Sequence, residues 1–212
     1  MSKFLLDRRA LLVAGASSVA LAACSNIIGP PESSPLYMLR PKMPPGGAGR
    51  AVNWQISIQL PEAPQSLDTD RIALVQPGDI MDYYANAEWQ DRLPFLVQQA
   101  LIEAFEANNR ITAVGRDTDI LRADYLLQTD IRDFQARYDA QDAPPTAVVR
   151  IACKLIAAHG RTITQIMTVQ KQVPTQQNSI GAATQAMNEA LGEALVDIVS
   201  WTLSAPEPQR GL

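Results

Sequence analysis

The sequence predicts an α+β fold: a largely antiparallel sheet with two amphipathic helices packed on one face, a two-layer sandwich. Three observations carry that expectation. Several segments alternate apolar and polar residues with period two, clearest at Val52, Trp54, Ile56, Ile58 and Leu60. Two longer segments repeat apolar residues every three or four positions, over residues 93–105 and 180–199. Turn formers, Pro77-Gly78 and His159-Gly160, separate strand-like stretches in the manner of hairpins.

The chain opens with Lys3, Arg8 and Arg9, then a charge-free apolar run of 14 residues over 10–23. A membrane-spanning helix takes about 20 residues, whereas a secretory core takes roughly 7–15, so the run reads as an export signal. It ends in Leu21-Ala22-Ala23-Cys24, with small residues just before the cysteine. That stretch resembles a bacterial lipobox, in which the leader is cut ahead of a cysteine that then carries lipid. The expected organisation is a signal peptide over 1–23, a lipidated tether over 24–35, a folded domain over 36–203 and a flexible tail over 204–212. Asp7-Arg8-Arg9-Ala10-Leu11-Leu12 resembles a twin-arginine signal and also suits an ordinary basic leader, so both export routes stay open. Ser25 stands where an aspartate retains many proteobacterial lipoproteins at the inner membrane, and by that resemblance favours the outer membrane.

The 212 residues carry a formal charge of −4. Removal of the leader takes away three cations and Asp7, leaving −6 on the mature chain. An acidic chain without a Lys/Arg run is a poor nucleic-acid binder, because neutralising phosphates supplies most of that affinity. The cysteines are Cys24 and Cys153. With Cys24 acylated, Cys153 is a lone thiol and no intramolecular disulfide forms.

Along the folded part, residues 36–39 form a short strand and the Pro/Gly-rich residues 40–50 a loop. Residues 52–60 form a strand with one buried face, and 71–75 and 79–84 two more joined by Pro77-Gly78. The first helix starts near Leu93 with Pro94 in its first turn, where proline is tolerated, and Trp89 in a preceding turn. Its stripe is Leu93, Leu96, Val97, Ala100, Leu101, Ala104 and Phe105; Gln98, Gln99, Glu103 and Glu106 face away, and Asn108-Asn109 end it. A short strand at 111–114 precedes a long one at 124–138. There Tyr125, Leu127 and Ile131 share a phase that Phe134 breaks, which calls for a bulge near Arg132. Val149, Ile151, Cys153 and Leu155 face inward on the next strand, which pairs with 161–173 across a His159-Gly160 tip. Ser179 caps the second helix.

Chemistry-bearing patterns are few. His159 is the sole histidine and belongs to a tip, while Cys153 alternates with apolar residues and reads as a small hydrophobe. Asp68 and Asp70 are the best acid pair for a cation or for acid–base work. The simpler reading has one capping a turn and the other pairing with Arg71. Phosphate-loop, dinucleotide and zinc-site motifs are missing from the sequence, so no cofactor or metal is expected. Tyr83 and Tyr84 are adjacent and must point to opposite faces of a strand, which makes one of them a candidate for partner contact.

Three stretches together carry a family resemblance: Leu67-Asp68-Thr69-Asp70-Arg71 and its continuation to Leu74, residues 83–106 with Trp89, Leu93 and Pro94, and residues 123–136. In this order they resemble the ABC-type transport auxiliary lipoproteins, which include the PqiC lipoproteins. The commoner family form has the arginine close behind Leu-Asp; here Thr69 and Asp70 intervene. The resemblance implies a non-enzymatic lipoprotein on the periplasmic face of the envelope. It would dock or stabilise an MCE-domain periplasmic protein of an ABC transporter that moves lipids between inner and outer membranes. A groove between sheet and helices would also suit phospholipid directly, and the reading leaves a homo-oligomer open. Two other readings compete: an envelope-assembly lipoprotein that chaperones lipopolysaccharide or an outer-membrane protein, and a hydrolase using Asp68 and Asp70.

Acylation makes a direct prediction. Cys24→Ser should abolish incorporation of labelled palmitate and release the protein from the membrane fraction, since several acyl chains together give firm anchoring. Label retained in that variant would refute lipidation at this residue.

Overall fold

The computed structural model describes residues 34–43, 49–120, 122–140 and 142–208. The expected leader and Cys24 lie outside the described residues. The chain divides into the units Met1–Ser34 and Pro35–Leu212, and the elements that follow belong to the second. Its elements are β1 (Leu36–Tyr37), β2 (Val52–Ile58), β3 (Arg71–Gln76), β4 (Ile80–Trp89), α1 (Leu93–Asn108), β5 (Ile111–Arg116), β6 (Tyr125–Arg137), β7 (Thr146–Ala157), β8 (Thr162–Pro174) and α2 (Ile180–Leu203).

All these strands join one sheet, and the α+β class holds. The sheet is mixed rather than largely antiparallel. β3–β4, β6–β7 and β7–β8 are antiparallel, whereas β1–β4, β2–β5, β2–β6 and β3–β6 are parallel. The length of β6 explains this. At 13 residues it outruns its neighbours, and one edge accommodates two strands in tandem. β2 pairs along its first half, with Ile56 opposite Tyr125 and Ile58 opposite Leu127. β3 pairs along its second half, with Leu74 opposite Ala136. Between them Glu62 makes a parallel bridge to Asp130. Period-two patterning fixes which face of a strand is buried, not which distant edge it meets.

The long strand is bulged where its phase breaks. Its register with β7 shifts between Ile131 and Asp133, so Arg132 is extra and both Ile131 and Phe134 face inward. The inward rows continue across β7 through Leu155, Cys153, Ile151 and Val149. The turn between β7 and β8 falls at His159–Arg161, with Gly160 at φ 76°, a conformation that favours glycine.

Both helices cover the inward face. α1 starts at Leu93 with Pro94 in its first turn and ends at Asn109, whose φ of 56° breaks the helix. Its whole expected stripe is buried. Gln98, expected on the outer side, is only 4% exposed, because its amide donates to the Ile58 carbonyl at 2.9 Å. α2 is capped by Ser179, whose hydroxyl accepts from the Ala182 N–H at 3.2 Å. The segment after β1 straps α2: Arg40 N–H donates to Asn188 Oδ1, and the Asn188 amide donates to the Met38 carbonyl. Gly192 admits this strap, since a Cβ there would lie 3.0 Å from the Lys42 carbonyl oxygen.

Two edge-to-face aromatic pairs anchor the core. Trp54 meets Tyr125 at 5.0 Å between ring centres, and Trp89 meets Phe134 at 6.1 Å. Trp89 is buried as expected, but it ends β4 instead of sitting in a turn ahead of α1. At the far end the Tyr125 hydroxyl donates to the Pro206 carbonyl, and Ala205 is buried, so the first residues of the tail are docked.

Trp89→Ala should destabilise the domain by ~3–5 kcal/mol, the usual cost of deleting a large buried aromatic, read from urea unfolding. Cys153 gives a second test. Burial pushes its thiol up to about 12, against about 8.5 for a free thiol. Between those values the unfolded chain ionises and the folded one does not, so stability should fall as pH rises through this window. Cys153→Ala should flatten that slope in urea titrations, and native Cys153 should resist a thiol reagent at pH 8 until denaturant is added.

Candidate functional site

Sequence reasoning pointed to β4, and the structure shows how that strand is held. Tyr83 lies opposite Ala73 of β3. Its hydroxyl donates to the Ser66 carbonyl at 3.1 Å, and the Arg71 guanidinium lies 3.7 Å above its ring. Tyr84 turns the other way. Its hydroxyl is 2.9 Å from that of Tyr138, which donates to Asn178 Oδ1 at 3.1 Å. Tyr138 has one proton and gives it to Asn178, so Tyr84 is the donor to Tyr138. Burial first, and the Tyr138 hydroxyl second, push the Tyr84 phenol well above its ordinary range. Both tyrosines are half-buried. Beside them the β3–β4 hairpin exposes Ile80 and Met81, with Gly78 and Asp79 both at positive φ in the turn. Asp79 is tied to Arg137 at 2.7 Å. An open pocket of about 590 Å³ adjoins, with Leu74, Gln76, Tyr138 and Asn178 in its wall.

The acid pair is absorbed by a clasp between two loops. An Arg92 Nη lies 2.5 and 2.6 Å from the two Asp68 carboxylate oxygens. Backbone bonds run alongside: Trp89 N–H donates to the Asp70 carbonyl at 2.6 Å, and Leu93 N–H to the Thr69 carbonyl at 3.0 Å. Residues 68–71 thus hold residues 89–93, fixing both the end of β4 and the start of α1. Asp68 pairs with Arg92 and not with Arg71, which rests on the Tyr83 ring instead. The pair is partly exposed and worth only about 0–1 kcal/mol. Its geometry positions a helix, while the Asp70 carboxylate accepts from the Thr69 hydroxyl at 3.2 Å.

His159 is exposed in the β7–β8 turn, and Cys153 is buried with no base beside it. Among the described residues no group of three or more His, Cys, Asp or Glu is placed to hold a metal. No helix among them is long and apolar enough to cross a membrane. Cys24 lies outside the described residues. Sequence reasoning missed Arg92, Tyr138 and Asn178. Arg92 had a signal, since it directly precedes the Leu93-Pro94 helix start; the other two are polar residues near element ends with no local pattern.

Comparison with known proteins places these features. A family model described as the ABC-type transport auxiliary lipoprotein component matches residues 37–199. An uncharacterised protein of Bradyrhizobium diazoefficiens is 27% identical over 177 residues, covering 84% of this chain and 47% of that protein. The chain therefore spans about half the length of this curated relative. The crystal structure of XCC0632 from Xanthomonas campestris, of family DUF330, matches with a TM-score of 0.74 at 27% identity, over 80% of this chain and 94% of that one. A second crystal structure, of an uncharacterised protein, shares the fold with a TM-score of 0.61 at 12% identity, covering 77% of this chain and 99% of its own. The loop 67–71 and the Trp89–Leu93–Pro94 start, which carry the sequence resemblance, are the two halves of the clasp, and the match runs across both: the chain belongs to the ABC-type transport auxiliary lipoprotein family.

Proposed function

We propose that this protein is a non-enzymatic adaptor, held at the outer membrane by acyl chains on Cys24, that docks or stabilises the MCE-domain periplasmic component of an ABC system moving lipids between membranes. The observation that carries the reading is family membership over most of the domain. Membership brings association with an ABC-type transport system and, as a lipoprotein, with the cell envelope. The chemistry of the fold supports the adaptor role: Asp68 serves in a clasp, and the thiol is sealed in the core.

The contact surface fits the β3–β4 hairpin. Met81 is exposed there on the same face as Tyr83, which Arg71 and Ser66 hold rigidly, while Ile80 is exposed on the opposite face. A fixed aromatic next to an exposed apolar side chain is the composition of an interface hot spot. Tyr84 supports the strand from its other face through Tyr138.

Affinity capture from envelope extracts with the acylated protein should recover an MCE-domain protein, identified by mass spectrometry. Tyr83→Ala combined with Met81→Ser should reduce that recovery about tenfold or more, since hot-spot truncations cost over about 1 kcal/mol each. Recovery of a β-barrel or lipopolysaccharide carrier with no transport component would replace this reading with an envelope-assembly role.

A further inference from the structure

The two ends of β6 carry different surfaces. Its Arg137 end meets the β3–β4 hairpin, and its Tyr125 end meets the β7–β8 turn. At the second end, the sheet face turned away from the helices is apolar. Leu126 lies opposite Ile156, and Ile156 opposite Ile163, so the three form a row across three strands. The β7–β8 register shifts at this point: Leu155 pairs with Gln165 and Ile156 with Ile163, leaving Thr164 as an extra residue. In a regular strand, residues three apart point to opposite faces. The bulge instead brings Ile166, opposite Lys154, onto the same face as Ile163. Ile163 is 53% exposed and Ile166 72%. Exposed, contiguous apolar surface of this kind marks an interaction site.

Cations surround this row. A pocket of about 460 Å³ beside it has Ile120, Leu126, Arg122, His159 and Arg161 in its wall, with Asp117 as the carboxylate. Arg122, Arg161 and Lys154 are all exposed, and none belongs to an ion pair among the described residues. Arg161 holds a left-handed backbone at φ 49°, costly for a residue with a side chain. The pocket wall thus sets Arg122 and Arg161 against Asp117, and Lys154 stands opposite Ile166 on the same sheet face.

We propose that this end of the sheet docks on an anionic phospholipid bilayer. Arg122, Arg161 and Lys154 take lipid phosphates, and Ile163 and Ile166 enter the acyl boundary. Charge complementarity selects the negative surface. Apolar side chains level with a ring of basic ones are what a bilayer interface accommodates, with phosphates outside and hydrocarbon within. Arginine suits the role because its planar donors pair with phosphate oxygens in parallel. The inference stands apart from the MCE partnership and from acylation.

The test uses residues 25–212, which contain the whole described core and lack the acylated cysteine. Sedimentation with phosphatidylglycerol/phosphatidylcholine vesicles, against phosphatidylcholine alone, reads the binding. Binding should require phosphatidylglycerol and weaken with salt. Arg122→Gln with Arg161→Gln should weaken it about fivefold per cation removed, with an unchanged melting temperature. Ile163→Ser with Ile166→Ser should weaken it while leaving the salt dependence in place. Equal binding to both vesicle types, binding to neither, or an unchanged arginine double variant would overturn the proposal. So would a dimer that Ile166→Lys dissociates while vesicle binding is absent, which would assign the face to a second copy of the chain.

Discussion

One inserted residue keeps this fold in phase. β6 pairs with β2, β3 and β7, so the phase of its 13 residues sets which face of three neighbouring strands meets the helices. The bulge at Arg132 resets the count, so that Ile131 before it and Phe134 after it both face the helices. Without that reset, Phe134 and Ala136 would turn outward and Asp133 and Gln135 would enter the core. Phe134 would then lose Trp89, and with it the packing between the end of β4 and the centre of the sheet. The same insertion leaves Asp133 outside, where it pairs with Arg150.

Around that strand, polar groups fix the order of the pieces. Gln98 ties α1 to the end of β2, Tyr138 links β4 to the start of α2, and Asn188 secures the strap over α2. The Gln98 amide, buried in the core, would otherwise be shut away from water unpaired, a loss of about 1–3 kcal/mol. Hydrophobic contact alone is non-directional. These bonds select one arrangement among those of similar apolar burial.

The local features were legible in the sequence. Pro94 and Asn109 bound α1, Ser179 caps α2, the broken phase at Phe134 marks the bulge, and His159-Gly160 makes the turn, because each depends on neighbours within a few residues. The parallel pairings of β2 and β3 on β6 were not legible, since they join segments far apart in the chain and leave no trace in either strand's alternation. Gln98 misled for a related reason: a glutamine on a helix reads as solvent-facing unless the distant carbonyl that receives it is known. The site was half legible. Tyr83 and Tyr84 do lie on opposite faces of β4, but the partners that hold them, Ser66 and Tyr138, come from other elements. The simpler sequence reading paired one of the two acids with Arg71, whereas Asp68 meets Arg92, a partner that emerges only when the two loops meet.

The strap and β1 have a mechanical consequence. β1 is held to β4 over two residues, through the Pro35 and Tyr37 carbonyls, whereas the stretch behind it is clipped to the middle of α2 by Asn188 and seated at Gly192. Tension arriving along the chain ahead of Leu36 is therefore carried by a short peripheral zipper before it reaches the clip. That short ladder is the part such a load would open first, ahead of the helical layer and the bulged central strand.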